Sequence, residues 1–227
     1  MKPRLSFVSA ILITLEMLLA AGAWAVPMLD QQSTGPGNGN SSGTGNVIDN
    51  AQTFTVGISG LFSGVDVAFE RTGIFQTAPL VIDIRTVSGG IPTDMVLATG
   101  SVAPDQVPVR PIIPNCSPIC VWQSVDFTSQ ILWVTAGDVL ALVAHSATQQ
   151  GQASSYYWQE SQTGYSGGQF FTLVRPPVDS GIWMALPARD TLFRTYVDPN
   201  PAMVPEPATL ALVALGIVGL GFSHRKQ

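Results

Sequence analysis

The sequence predicts an all-β protein, an antiparallel β-sandwich of jelly-roll or immunoglobulin-like type. Three observations predict it. About ten short apolar runs follow one another, several with strict period-two alternation. Turn residues separate them, as in "VSGGIPTD", "VAPDQVPVRPIIPN", "TAGD" and "RPPVDSG". Between the two ends no long stretch carries a helical period, and Asp outnumbers Glu, which suits turns better than helices. Irregular strand spacing makes an up-and-down barrel a poorer fit.

The chain opens with "MKPRLSFVSAILITLEMLLAAGAWA". Lys2 and Arg4 supply a positive start, Leu5 to Ala21 an apolar run, and Ala23-Trp24-Ala25 a small-x-small cleavage pattern. Residues 1–25 read as a secretory signal peptide, despite Glu16 within the run, and the alternative is a buried N-terminal helix. Export through the Sec translocon and removal of the leader by signal peptidase follow from the first reading, leaving a mature chain that begins at Val26.

Residues 26–46 contain "QQSTGPGNGNSSGTGN", Gln31 to Asn46, almost devoid of apolar side chains. Such composition predicts a flexible linker. The body, 47–198, has the length of one ordinary domain. It starts with "FTVGI". In "VDVAFER", Val65, Val67 and Phe69 share one face, while Asp66, Ala68 and Glu70 take the other. "LVIDIRTV" places Ile82 and Ile84 inward against Asp83 and Arg85 outward. "MVLATGSV" is shorter, and "VWQSVDF" sets Val121, Gln123 and Val125 against Trp122, Ser124 and Asp126. "DVLALVAHS" is apolar on both faces and predicts a central, covered strand. "YYW", "GQFFTLV", "GIWMAL" and "TLFRTYV" complete the set.

From Val26 to Met203 six arginines and no lysine oppose eleven aspartates and two glutamates. This acidic balance repels phosphate backbones and argues against nucleic acid as a partner. Cys116 and Cys120, in "PNCSPIC", predict a small disulfide pinning a loop in an oxidising compartment. A zinc site is the alternative, but it lacks further ligands, since His145 is the one histidine of the exported part.

No catalytic constellation is expected. "GYSGG", Gly164 to Gly168, matches the letters of a nucleophile elbow at Ser166, but a strand pattern follows where a helix should. It reads as a Gly-rich hairpin turn. His145 reads as a strand-end histidine without metal-binding spacing. No cofactor is predicted; a calcium ion among loop aspartates and carbonyls would suit a jelly roll, but no linear motif locates one. The aromatic segment "SSYYWQESQTGYSGG" offers Tyr156, Tyr157, Trp158 and Tyr165 among polar residues. Two readings stay open: rings alternating into the core, or a platform for glycan contact.

The chain closes with "VPEPATLALVALGIVGLGFSHRKQ", residues 204–227. Pro205 and Pro207 hold the backbone around Glu206 extended, as a processing enzyme needs. Residues 208–222 form an uncharged, mostly apolar run that as a helix would be about 23 Å long, against about 30 Å of hydrocarbon in a bilayer. It is short for a permanent transmembrane helix. His224, Arg225 and Lys226 form a basic tip that stays cytoplasmic. An ordinary tail anchor is the alternative, but it leaves Pro-Glu-Pro unexplained.

These residues resemble the PEP-CTERM sorting signal of Gram-negative bacteria, also labelled an ice-binding protein C-terminal domain. The resemblance rests on Val204, Pro205, Glu206, Pro207, Ala208 and Thr209, the apolar run and the basic end. It implies recognition by an exosortase, a membrane-embedded cysteine protease or transpeptidase, with anchoring in the inner membrane before processing. The cell surface or extracellular matrix is then the destination, often alongside exopolysaccharide. The expected function is a non-catalytic adhesion or glycan-binding module. A polysaccharide-active hydrolase and a purely structural coat protein are the rivals.

Overall fold

A computed structural model describes residues 26–35, 37–72, 77–110, 121–146 and 156–199. These are almost entirely antiparallel strands. In chain order they are β1 (Met28–Ser33), β2 (Gly37–Thr44), β3 (Ile48–Thr55), β4 (Gly60–Val67), β5 (Phe69–Arg71), β6 (Leu80–Ser88) and β7 (Ile91–Val102). There follow β8 (Gln123–Asp126), β9 (Trp133–Val134), β10 (Val139–His145), β11 (Tyr156–Ser161), β12 (Phe170–Val174), β13 (Trp183–Ala185) and β14 (Phe193–Asp198). Two single 3₁₀ turns, Pro104–Gln106 and Thr128–Gln130, are the helical content among the described residues. No helix there is long and apolar enough to cross a membrane. The predicted leader 1–25, the transmembrane run 208–222 and both cysteines lie outside the described residues.

The strands form three sheets. One has the order β1-β14-β4-β8, with β9 also pairing β4. The second runs β13-β12-β3-β10-β6-β7, and a small third sheet is β2-β11-β5. β6 and β7 are joined by a two-residue turn, Gly89-Gly90, with φ of 59° and 81°. Two successive positive φ values match the right-handed twist of a hairpin, and glycine adopts them without a Cβ clash.

One core serves all three sheets. Phe54 of β3 meets Phe62 of β4 and Phe193 of β14, with ring centroids 6.0 and 6.2 Å apart. Val65, Val67, Phe69, Ile82 and Ile84 all point into it, as the alternation requires. β10 behaves as its two-sided apolar pattern predicts. It lies between β3 and β6, with Leu140, Leu142 and Ala144 in the main core and Ala141 and Val143 in a second cluster with Ala51 and Phe171.

The predicted linker is a correction. Within 26–46 the chain contributes two strands, β1 on β14 and β2 on β11. Composition denies this segment a core of its own, but a preformed neighbouring edge supplies hydrogen bonds that need no apolar side chain. Asp30 holds β1 in place. It forms the bulge between Leu29 and Gln31, and its Oδ1 accepts from the Gly57 and Ile58 amides at 2.8 and 2.7 Å.

Candidate functional site

The outer face of the five-stranded sheet carries a shallow cleft of about 370 Å³. β4, β8 and β14 build it. Alternation sends Val65, Val125 and Val197 to the core, so Asp66, Ser124, Asp126, Arg194 and Tyr196 take the opposite face. A bulge at Ser63, between the Tyr196 and Val197 pairings, tightens the twist where the cleft lies. The Ser63 hydroxyl donates to the Tyr196 carbonyl at 3.0 Å.

Gly64 floors the cleft between Tyr196 and Asp126. A Cβ there would stand 2.8 Å from the Val125 carbonyl oxygen, closer than real contacts allow. Glycine therefore permits the close strand approach and keeps the floor bare.

Asp66 is the fixed point. The Tyr196 hydroxyl donates to its Oδ2 at 2.7 Å, the Ser124 hydroxyl donates to its Oδ1, and the Arg194 guanidinium lies 3.7 Å away. Arg194 in turn stacks on the Trp122 ring, 4.2 Å from its centroid. Burial, with the hydrogen bond to and charge of Asp66, pushes the Tyr196 phenol above its usual value, so it remains a donor. Asp126 accepts from the Thr128 amide at 2.8 Å, which starts the 3₁₀ turn at the cleft rim. Its side chain is otherwise open to solvent. Carboxylates, hydroxyls and a guanidinium beside aromatic rings form a set that hydrogen-bonds polyols while stacking on their apolar faces.

The six-stranded sheet carries a different polar cluster. Asp83 accepts from Thr99 Oγ1 at 2.6 Å and Arg85 Nη2 at 2.7 Å, and lies 3.1 Å from His145 Nε2. Burial alone would raise its carboxyl. The hydrogen bonds from His145, Thr99 and Arg85, with the positive field of His145, outweigh burial and hold it down at about 2. Nearby, Arg175 pairs with Asp49 at 2.8 Å, yet burial still pushes Asp49 upward. Thr99 and His145 thus tie Asp83 on β6 to β7 and β10, and Arg175 ties Asp49 on β3 to the chain just after β12. The strand-end reading of His145 holds, with Asp83 as the partner the sequence did not reveal.

The aromatic platform is corrected. Tyr156 and Trp158 are fully buried, and neither touches solvent. Tyr156 donates to the Ala78 carbonyl at 2.6 Å. Trp158 stacks on Phe69 at 5.0 Å and donates through Nε1 to the Leu192 carbonyl at 2.9 Å. Tyr157 faces the other way, under the Arg110 guanidinium at 4.6 Å. Tyr165 sits elsewhere, edge-on to Phe193 at 5.1 Å and donating to Gln31 Oε1 at 2.9 Å. The four rings do not come together. Period-two alternation within "YYWQES" separates Tyr157 from its neighbours. Ser166 lies in a turn, as its glycine neighbours predict, but the turn closes no hairpin, because the flanking β11 and β12 belong to different sheets. Among the described residues no group of three or more metal-ligating side chains assembles.

Sequence reasoning missed the cleft. Its signal was present in the polar faces of "VDVAFER" and "VWQSVDF", which hold Asp66, Ser124 and Asp126. Nothing local joins them to Tyr196, 130 positions from Asp66.

Comparison with known protein families places a match at the end of the chain, over residues 204–226. This segment is a PEP-CTERM protein-sorting motif. The match contains Val204, Pro205, Glu206 and Pro207, along with His224, Arg225 and Lys226, all outside the described residues. The PEP-CTERM motif implies processing by an exosortase, and with it export and sorting to the cell surface. No curated protein matches the chain.

Proposed function

We propose that this chain is an exported surface protein whose body is a non-catalytic binding module for a neutral, hydroxyl-rich glycan such as an exopolysaccharide. The leader is removed after Ala25, and the 208–222 run holds the chain in the inner membrane until exosortase acts. The two larger sheets, packed across one core, form a β-sandwich whose outer face presents the cleft.

The observation that carries this reading is Asp66, oriented at once by Tyr196, Ser124 and Arg194 in an open cleft. A carboxylate with fixed geometry, flanked by hydroxyls and the Trp122–Arg194 stack, favours pairs of sugar hydroxyls. The acidic balance of the body disfavours polyanionic chains. A shallow, open shape suits a polymer passing through rather than an enclosed small molecule.

The test is binding of neutral polysaccharides, first on a glycan array and then by calorimetry. Asp66→Ala and Trp122→Ala should each weaken binding at least about ten-fold, which corresponds to about 1.4 kcal/mol. Tyr157→Ala, on a different sheet, should leave it unchanged. Unaltered binding in the first two variants overturns the cleft. Asp66 and Asp126 are diagonal neighbours on β4 and β8, so sugar release abolished by Asp126→Asn would establish a hydrolase instead.

A further inference from the structure

The described residues hold one strained apolar position. Ile131 has φ of 50° and ψ of 48°, in the left-handed region, and is 68% exposed. A β-branched residue is disfavoured there because its Cβ crowds the following carbonyl, and a solvated isoleucine gains no packing to offset the strain. Two residues on, Trp133 is 62% exposed, the most open large aromatic among the described residues. Strain combined with exposed apolar surface points to a role outside the fold.

The position of this pair in the sheet indicates that role. Trp133 pairs with Leu61, and Leu61 pairs with Asp198, the last residue of β14. Val197 pairs with Met28, the first residue of β1, which is 52% exposed. Trp133 therefore lies at the same end of the five-stranded sheet as both exits of the body, with Ile131 two residues before it, while Met28, in register with the core-facing Val197, takes the opposite face. Six residues, 199 to 204, separate Asp198 from Pro205. Even fully extended, they keep Pro205 within about 25 Å of Asp198. Strands lie about 4.8 Å apart, so Trp133 is about 10 Å from that exit.

We infer that Ile131 and Trp133 form a docking face for the lipid interface, seating this end of the body on the outer leaflet while the sorting tail is uncut. The inference rests on the reading that 208–222 anchors the chain before processing. The occupant is the lipid surface because the tether is short and ends in an apolar run, and because tryptophan favours the headgroup boundary. The contact is apolar rather than electrostatic. The exported part has no lysine, and the neighbouring Asp198 and Asp138 would repel anionic headgroups. Seating orients the strand end that feeds the motif toward the bilayer and keeps the tether slack.

The test uses the mature chain with Pro205-Glu206-Pro207 changed to three alanines, so that the tail stays, reconstituted in phosphatidylcholine vesicles with brominated acyl chains. A carbonate wash first reports anchoring. Tryptophan quenching by bromine then reports docking. Retained protein should show quenching that falls by more than half in Trp133→Phe, and that is unchanged by salt. Ile131→Asn, which suits the left-handed backbone, should keep the urea midpoint and still reduce quenching. Retained protein without quenching, or with quenching indifferent to Trp133→Phe, overturns the docking face while leaving anchoring intact. Protein lost in the wash refutes anchoring and the docking face with it. A vesicle-free dimer abolished by Trp133→Phe would assign the face to a second copy and overturn the lipid reading.

Discussion

Replacing Asp83 by asparagine tests whether the polar cluster on the six-stranded sheet stabilises the fold by charge or by shape. Asparagine keeps the outline of the side chain and stands in for protonated aspartic acid. Folding lowers the Asp83 carboxyl from 3.8 to about 2. At 1.36 kcal/mol per pKa unit, its ionisation contributes about 2 kcal/mol of stability. A depressed acid contributes fully above its unfolded value and loses the contribution as pH falls through the folded one. Asp49, Glu70 and Asp190 work in the opposite direction. Burial raises each of them, so their charged forms cost stability near neutrality, and that cost is relieved in acid. The raw acid profile mixes both signs, but the difference between wild type and Asp83→Asn isolates one. Urea unfolding followed by fluorescence should show the variant about 2 kcal/mol less stable from pH 7 to 5, with the gap closing between pH 4 and pH 2. A gap that stays constant across this range would mean that hydrogen-bond geometry, not charge, holds the cluster, and would refute the reasoning.

Three other outcomes follow from the same structure. Trp158→Ala empties the largest buried site and orphans the Leu192 carbonyl, so urea unfolding should show a loss of about 3–5 kcal/mol. Trp158→Phe should lose clearly less. Gly64→Ala pushes a methyl group toward the Val125 carbonyl, and a loss of about 1–3 kcal/mol in the same assay is expected. Changing Pro205-Glu206-Pro207 to three alanines should leave the C-terminus uncut in cells with active exosortase, read by mass spectrometry of the intact protein.

The strands whose burial follows local alternation were legible in the sequence. Val65, Val67 and Phe69 point inward, and β10 is covered on both faces, because side-chain direction along a strand is fixed by period two. What depends on distant partners was not legible. β2 lacks apolar side chains and the two of β1, Met28 and Leu29, are exposed, so both strands exist because β14 and β11 offer them hydrogen bonds. Trp158 lay among polar residues, which suggested a surface. Its neighbours Gln159, Glu160 and Ser161 are themselves buried, and the Ser42 hydroxyl donates to Glu160 at 2.9 Å. The cleft needs three strands in register, and its Asp66–Ser124 and Asp66–Tyr196 contacts join residues 58 and 130 positions apart. Local pattern fixes which face a side chain takes; only the pairing fixes its company.

The place of β14 between β1 and β4 has a bearing on the order of events during synthesis. That sheet stays open in the middle until the last strand of the body has emerged, so β1, made first, waits for a partner made last. A chain threading outward from its N-terminus thus cannot knit this half of the body early. The final stitch arrives only a few residues ahead of the sorting motif, so completion of the fold and delivery of the motif to the membrane become nearly simultaneous.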